Sequence, residues 1–346
     1  MGGDLLRGAL LAHRASPPCS PPWPAGHMDG GSVSALGVIR NPASSANRRA
    51  RQLTLPTGVP LIAPPAPAAI GEAVRSLLAR GVRRIAVDGG DGTVRLAIDA
   101  ILAAGAAQDV SIVLLRRGNT NLFCREIGAW TQGLPGERSG HIVARRLLRV
   151  ATGERCWHGL IFGLGAYEQA TRLATARPAL LGSAGVAVSL GHGLLQAVSE
   201  GAEGAWRRGI PLALAIDGTA APAGRRLLFA ATVAEGRLPL GLDPFGREGH
   251  GALRWLDIEA PGRHLASAVL PVLTGQKRPW LADAGYRVGR ANTIALEGTD
   301  SMVIDGDIVE LSAGTLNIGL SHPLRFLVPE AKCERGARDA SERPAP

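Results

Sequence analysis

Apolar runs and helical spacings alternate along the first third of the chain. Four short apolar segments are typical of buried strands, and three segments have the 3.6-residue spacing of amphipathic helices. The predicted strands are 36–39, 59–62, 85–87 and 110–115, and the predicted helices are 70–80, one that carries Val94, Ala97, Ile98 and Ile101, and one from about Asn121. This alternation predicts a parallel sheet that is covered on both faces.

The pattern changes after about residue 150, where strand-like segments dominate and glycine and proline are frequent. The predicted strands are 160–162, 212–216, 227–233, 253–258, 293–296 and 302–311, with helices near 166–175, 187–202 and 264–273. We therefore expect an α/β protein with an N-terminal doubly wound parallel-sheet domain and a C-terminal, mostly antiparallel β-sandwich domain. The expected boundaries are a disordered lead-in at 1–31, the first domain at 32–148, the second at 149–312, a segment returning to the first domain at 313–330, and a disordered tail at 331–346.

One turn connects a predicted strand directly to a predicted helix. Residues 89–93, at this turn, read GGDGT, and we call them the glycine corner. Glycine lets a ligand approach the backbone, and a helix N-terminus presents unpaired N–H groups, so this corner suits a phosphate group. A tight turn capped by Asp91 or Thr93 accounts for the same residues equally well. The corner has neither the lysine of a Walker P-loop nor the spacing of a dinucleotide-binding GxGxxG motif.

The positive charge of the chain does not indicate a nucleic-acid partner. The formal net charge is +9, and 36 of the 38 basic residues are arginines, as a codon bias would produce. No arginine run is interleaved with aromatic residues, so we expect no nucleic-acid binding. A mildly cationic face would still favour contact with anionic lipid.

Cysteine and histidine spacings indicate neither a disulfide framework nor a zinc site. The four cysteines are far apart and form no CxxC motif, and the eight histidines form no HExxH motif. A reducing cytoplasm is the expected location. No segment approaches the ~20 apolar residues of a membrane span, so we expect at most peripheral membrane association. A homodimer is compatible with the sequence.

Three further motifs lie at the ends of predicted strands or between them. Residues 40–45 read RNPASS, residues 115–123 read LRRGNTNLF, and residues 302–309 read MVIDGDIV. Asn-Pro commonly ends a strand, and Asp-Gly between β-branched runs is a favoured hairpin turn. Ligands of parallel sheets bind outside the carboxyl ends of the strands, so the first two motifs and the glycine corner are expected to lie together.

Taken in order, the four motifs resemble those of the diacylglycerol kinase-like family, which includes sphingosine kinases and bacterial lipid kinases and has the NAD kinases as distant relatives. The GGDGT corner matches in full, and the resemblance runs from about Leu36 to Pro329. The departures are Ser45 for glycine, Arg116, Asn119 and Leu122 for proline, threonine and aspartate, and Asp307 for glutamate.

The resemblance implies an ATP- and Mg²⁺-dependent kinase that phosphorylates diacylglycerol or a related lipid at a membrane surface. By this resemblance Asp91 and Asp305 are catalytic and hold Mg²⁺, and Asp305 is the candidate general base. The implied nucleotide-binding residues are Asn41, Gly89, Gly90, Gly92, Thr93, Gly118, Asn121 and Asp307. Two other functions stay open: a non-catalytic nucleotide- or lipid-binding relative, which the departures motivate, and an NAD kinase-like enzyme.

Overall fold

A computed structural model describes most of the chain between residues 36 and 330. The described residues are 36–44, 47–48, 53–118, 120–131, 133–136, 139–153, 155–176, 198–199, 204, 206–238, 241–312 and 314–330. The lead-in at 1–31, the tail at 331–346 and most of the predicted helix at 187–202 lie outside the described residues.

The first sheet contains six strands: β1 Leu36–Arg40, β2 Leu61–Ile62, β3 Arg84–Gly89, β4 Ser111–Arg116, β5 His141–Arg145 and β19 Leu324–Val328. Their order is β2-β1-β3-β4-β19-β5. Five of them run parallel, and β5 pairs antiparallel with β19 at one edge. The four strands predicted in this region are therefore confirmed, although β2 is shorter than predicted.

Helices cover one face of this sheet, and loop residues cover the other. A 3₁₀ turn at Pro67–Ala69 precedes α1 Ile70–Ala79, and α2 Asp91–Ala103 and α3 Leu122–Ile127 follow. Their apolar faces pack on the sheet with residues such as Ile39, Val87 and Ile112. The opposite face, which includes Val38 and Ala86, packs against Leu53, Leu55, Val59 and Trp130.

Two antiparallel sheets form the second region. Their strands are β6 Leu148–Thr152, β7 Arg155–Gly159, β8 Ile161–Gly165, β9 Ile210–Pro211, β10 Ala213–Ile216, β11 Thr219–Ala220, β12 Arg225–Thr232, β13 Leu253–Glu259, β14 Tyr286–Ala291, β15 Ile294–Glu297, β16 Ser301–Ile304, β17 Asp307–Glu310 and β18 Leu316–Leu320. One sheet has the order β11-β10-β15-β18-β6-β7 and the other the order β14-β13-β12-β8-β16-β17, with β9 beside β12. Residues from both sheets, including Phe162, Phe229, Leu296 and Ile318, form one core. This region is the predicted sandwich.

The opposite face of the β12–β13 pair is turned toward three further helices and the first sheet. These helices are α4 Ala166–Ala176, α5 Leu265–Thr274 and α6 Pro279–Asp283. Leu228 and Leu256 belong to the same buried cluster as residues of α1, α2 and α5, so the two regions share a core. Within the described ranges, no helix combines the length and the apolar character that a membrane crossing requires.

The chain returns to the first sheet only at its last strand. β18 pairs with β15 and β6 in the sandwich, where Leu316 and Ile318 are buried. β19 then lies between β4 and β5 in the first sheet. Within the segment 313–330, which we expected to return to the first domain, β19 lies in the first sheet, whereas the apolar side chains of β18 complete the sandwich core.

Candidate active site

The glycine corner connects the carboxyl end of β3 to the first turn of α2. Gly90 is the N-cap in an extended conformation, and no side chain caps the helix, so Asp91 and Thr93 do not have the capping role. The hydroxyl of Thr93 instead accepts a hydrogen bond of 2.9 Å from Asn41 Nδ2. A Cβ at Gly89 would lie 2.6 Å from Thr93 Cβ, so the glycine makes room for this side chain. Within the described part of the chain no side chain caps the first N–H groups of α2, which can therefore contact a ligand.

The turn between β4 and α3, which contains Gly118 and is called the Gly118 turn below, packs directly against the glycine corner. A Cβ at Gly118 would lie 2.9 Å from Gly90 Cα, so only glycine allows the two backbones to approach this closely. Asn121 adopts a left-handed conformation with φ of 49° at the start of α3. Its side-chain Oδ1 accepts a 2.9 Å hydrogen bond from the Gly118 N–H, and its Nδ2 donates to the Gly118 carbonyl. Asn121 therefore holds the turn in shape, and the nucleotide contact that the resemblance implies for it stays a prediction.

A polar cavity of about 450 Å³ opens between these turns and the second region. It contains most of the residues that the sequence assigned to nucleotide binding. The lining residues are Asn41, Ser44, Pro67, Ile70, Gly90, Gly92, Thr93, Arg95, Leu96, Gly118 and Asp307. Two close glycine turns, free helix N–H groups and a threonine hydroxyl at one wall are suited to a polyphosphate.

The segment 302–311 forms two strands joined by a tight turn. β16 and β17 pair antiparallel, and both central residues of the turn have positive φ, 52° at Asp305 and 91° at Gly306. Positive φ at both positions is typical of a type I′ turn, so the predicted hairpin is confirmed. The turn brings Asp305 to the start of β8, where its Oδ1 accepts hydrogen bonds of 2.9 Å from both the Leu160 and Ile161 N–H groups.

The second carboxylate oxygen of Asp305 is buried and has no hydrogen-bond partner among the described residues. Burial raises the pKa of Asp305 from 3.8 to about 7, against the lowering effect of its two N–H partners. The charge of Asp91 raises it further, and the charge of Arg95 lowers it. A carboxyl group with a pKa near neutrality and one free oxygen has the properties of a general base.

Asp91 lies where its charge acts on both acids of the hairpin. Its Oδ1 accepts a 3.2 Å hydrogen bond from the Phe123 N–H at the start of α3. Burial raises the pKa of Asp91, backbone N–H groups of α3 lower it, and the charge of Asp307 raises it. Three carboxylates therefore interact at this junction of the two regions.

Asp307 faces the polar cavity and is ion-paired. Its Oδ2 accepts a 2.8 Å hydrogen bond from Arg95 Nη2, and its side chain is 49% exposed. The sequence did not single out Arg95, although a charged residue between Val94 and Ala97 on the buried side of α2 was a detectable signal.

An almost wholly apolar cavity ends at Asp305. Strands β12 and β13, helix α5 and the loop before β13 contribute most of its wall. The lining residues are Thr120, Leu122, Ile161, Tyr167, Leu228, Ala230, Leu238, Leu242, Pro244, Phe245, Leu256, Ile258, Leu265, Val269, Val272, Leu273, Tyr286 and Asp305. Burial and the nearby charge of Asp305 raise the pKa of Tyr167, so its hydroxyl stays protonated. Sequence patterns did not reveal this cavity because its residues come from distant segments.

The first part of the chain matches a known protein family. Residues 35–154 match the family model of the diacylglycerol kinase catalytic domain, a stretch that includes the glycine corner and the Gly118 turn. This part of the chain is therefore similar to the diacylglycerol kinase-like family. The matched stretch ends before the Asp305 hairpin, so the second half of the site lies outside it.

Solved structures that are described as diacylglycerol kinases share the fold over most of this chain. One from Bacillus anthracis str. Sterne, described provisionally as a diacylglycerol kinase, is 15% identical, with a TM-score of 0.56 over 85% of this chain and 97% of its own. Another from the same organism, described as a diacylglycerol kinase, is 11% identical, with a TM-score of 0.54 over 87% of this chain and 99% of its own. No curated protein matches the sequence. The mixed α/β fold with a mostly parallel first sheet is thus also the fold of these solved structures.

Gly159→Ala is expected to lower turnover without unfolding the protein. A Cβ at Gly159 would lie 2.6 Å from both Asp305 Oδ2 and Ile304 Cγ1, so the hairpin side chains must shift and the carboxylate leaves its position at the end of the apolar cavity. Displacement of a general base costs up to about 10²-fold in rate. The measurement is steady-state turnover beside Gly319→Ala, a strand glycine with no atom within 4 Å of an added Cβ. Equal turnover in the two variants would contradict the placement of Asp305.

Proposed function

We propose that this protein is an ATP- and Mg²⁺-dependent kinase that transfers the γ-phosphate to a hydroxyl of diacylglycerol or a related lipid. The match of residues 35–154 to the diacylglycerol kinase catalytic domain supports the coarser statement, a lipid kinase-like phosphotransferase. The observation that carries the finer proposal is the meeting of two unlike cavities at one group of acids. Asp307 lines the polar cavity, Asp305 ends the apolar cavity, and Asp91 interacts with both.

The polar cavity would hold the phosphates of ATP. The backbone at Gly90, Gly92 and Gly118 and the Thr93 hydroxyl are the groups that would contact phosphate oxygens. Phosphoryl transfer requires mainly positioning and neutralisation of charge, and a rigid backbone cradle supplies the first. Asn41 and Asn121 would act indirectly, by orienting Thr93 and the Gly118 turn.

The apolar cavity would hold the hydrocarbon part of the acceptor, with its hydroxyl at Asp305. Asp305 Oδ2 would accept the hydroxyl proton as the hydroxyl oxygen bonds to the γ-phosphorus and the bond to ADP breaks. The proton then leaves Asp305 for solvent before the next cycle. Because the lining is almost wholly apolar, a lipid alcohol fits it better than a sugar or a nucleoside. We propose that the lipid is reached at a membrane surface.

The acids of the site fit Mg²⁺ bound partly through the nucleotide. Mg²⁺ is commonly held by one or two carboxylates together with phosphate oxygens and water. Among the described residues no group of three or more His, Cys, Asp or Glu side chains forms a cage for a metal ion, so most of the ligands would come from the nucleotide and water. Asp91 would hold the ion, and the charge of Asp305 would favour it while Asp305 Oδ2 stays available as the base; when bound, the ion neutralises charge on the transferring phosphoryl group.

Transfer of labelled γ-phosphate from ATP to a panel of lipid alcohols in mixed micelles tests the proposal. Label in one lipid class, lost when EDTA removes Mg²⁺, is the expected result. No label in any lipid, while ATP still raises the unfolding temperature, would instead support the non-catalytic relative. Phosphorylation of NAD in a parallel reaction would support the NAD kinase-like enzyme.

Gly118→Ala is expected to reduce the protection that ATP gives against heat. The new Cβ would lie 2.9 Å from Gly90 Cα, so the two turns must separate and the cradle loses its shape. Because backbone donors need near-ideal distances, we expect at least a tenfold loss of ATP affinity, or about 1.4 kcal/mol. Thermal unfolding with and without ATP measures the loss. Gly71→Ala on α1, where an added Cβ meets its nearest atom at 3.6 Å, is the matched control. An ATP affinity unchanged in Gly118→Ala would contradict the proposed phosphate site.

A further inference from the structure

Arg95 is a charged residue on the buried side of α2. It is 8% exposed, and Val94, Ala97 and Ile98 beside it are buried apolar residues. An arginine is seldom buried this deeply unless its charge is paired with an opposite charge. Its side chain lines the polar cavity together with the glycines that would contact phosphate.

The guanidinium group is anchored at two points. Nη2 donates to Asp307 Oδ2 at 2.8 Å, and Nη1 lies 3.6 Å from Asp99 Oδ2. Asp99 is itself fixed, because its Oδ1 lies 2.7 Å from His158 Nδ1 and accepts a 3.1 Å hydrogen bond from the His158 N–H. The Nε of Arg95 is buried and has no hydrogen-bond partner among the described residues. The carboxylates of Asp99 and Asp307 therefore orient the guanidinium group of Arg95, and its Nε is a donor that neither of them uses.

The charge balance of the cavity indicates a ligand for this group. Among the described residues that line it, Arg95 is the basic side chain and Asp307 the acidic one, while Asn41, Ser44 and Thr93 are neutral. A polyphosphate brings several negative charges, which the backbone N–H groups alone do not neutralise. Asp307 is half-exposed, so water can solvate it if a phosphate displaces it from the arginine.

We propose that Arg95 binds the terminal phosphate of ATP, with Asp99 and Asp307 acting as positioning residues that orient its guanidinium group before the nucleotide arrives. The inference rests on the proposed function, since it names the contact that one residue makes with the proposed nucleotide. It assigns Asp307 to the arginine, whereas the sequence assigned Asp307 to the nucleotide. Because the Arg95–Asp307 pair connects α2 to β17, it also couples the phosphate site to the hairpin that carries Asp305.

Nucleotide affinities test this assignment without reference to turnover. Dissociation constants for ATP, ADP and AMP are measured by calorimetry in EDTA, for the unchanged protein, Arg95→Met and the control Arg75→Met. Arg75 lies on α1, is exposed and pairs only with its helix neighbour Glu72 among the described residues. A hydrogen bond to a charged group corresponds to roughly a 10- to 100-fold loss, so we expect that loss for ATP in Arg95→Met and little change for AMP. Equal losses for all three nucleotides, or no loss for ATP, would overturn the assignment.

Asp307→Asn gives a result of opposite sign. With the competing carboxylate removed, Arg95 is free for phosphate, so ATP affinity in EDTA is expected to stay level or rise. A fall would show that Asp307 contacts the nucleotide and would overturn its positioning role.

If Arg95→Met does not fold, Arg95→Lys keeps the charge without the planar fork. It is expected to bind ATP severalfold more weakly with AMP affinity unchanged, and an ATP affinity equal to that of the unchanged protein would overturn the proposal.

Failure of this inference and failure of the proposed function have different signatures. Lipid phosphorylation together with an ATP affinity that Arg95→Met leaves unchanged would overturn only the role of Arg95. Selective loss of ATP affinity in Arg95→Met, without phosphorylation of any lipid, would support that role and remove the kinase assignment. An unchanged protein that binds none of the three nucleotides would overturn both.

Discussion

Asp305→Asn is expected to reduce phosphoryl transfer by about 10²- to 10⁴-fold while the protein stays folded. Asparagine keeps an oxygen for the Leu160 and Ile161 N–H groups, so the hairpin stays attached to β8. It cannot accept the hydroxyl proton that the buried, unpartnered Asp305 Oδ2 would take. Single-turnover transfer at saturating ATP measures the loss, with ATP binding as the control for folding. Undiminished turnover would remove Asp305 from the chemistry.

The same residue sets an expected pH dependence. Transfer should increase as the pH rises through about 7, because burial raises the pKa of Asp305 to that value and only the ionised form is a base. The charge of Asp91 contributes to this increase in pKa, so the measured value belongs to the pair of acids. A rate that is flat between pH 5 and pH 9 would contradict this role.

The contribution of Asp305 to the free energy of unfolding should decrease as the pH rises, whereas the rate of transfer should increase. The folded protein binds the Asp305 proton more tightly than the unfolded chain, whose pKa is 3.8, so this contribution is complete below pH 3.8 and is lost as the pH rises toward about 7. A difference of this size corresponds to a free energy of unfolding on the order of 4 kcal/mol at most. Asp305→Asn should therefore unfold at a higher temperature than the unchanged protein at pH 8, and the advantage should shrink toward pH 4.

The elements of the site were predictable from the sequence because each is a local signal. The apolar run before Asp88 and the helical spacing after Thr93 located the corner of β3 and α2 within a few residues. Asp-Gly at 305–306 predicted the hairpin, since a type I′ turn needs two residues that tolerate positive φ. The strand β5 was missed because its side chains are mostly exposed and show no alternation.

The contacts between these elements were not predictable, because they join residues far apart in the chain. Asp305 meets Leu160 across 145 residues, and Arg95 meets Asp307 across 212 residues. Only the packing of β8 beside β16 and of α2 against the hairpin brings them together. The role of Asn121 was not predictable either, although its contact is local. The motif that contains Asn121 gave no indication that its side-chain amide hydrogen-bonds to Gly118.

Arg254→Met is expected to destabilise the protein by about 3–5 kcal/mol, the usual result of breaking a buried charged network. Arg254 is 1% exposed and donates to the carbonyls of Ala234, Phe245 and Gly246 at 2.9–3.1 Å, as well as to the Asp243 carboxylate. These bonds fix the loop before β13, whose apolar side chains form part of the cavity wall that ends at Asp305. Without the arginine, three carbonyls and a carboxylate lose a buried donor. Denaturant unfolding measures the change in free energy.

Arg254→Met should affect the apolar cavity and leave the polar cavity unchanged. Loss of the loop should raise the KM for the lipid, whereas protection by ATP should persist, because no residue of this loop is among the described residues that line the polar cavity. Lys277→Met is the control: its pairing with Glu248 is exposed on both sides, so its removal should change the free energy of unfolding by less than about 1 kcal/mol. If Arg254→Met cost no more than this control, or if ATP protection were lost together with lipid binding, the loop would not be an independent wall of the acceptor cavity.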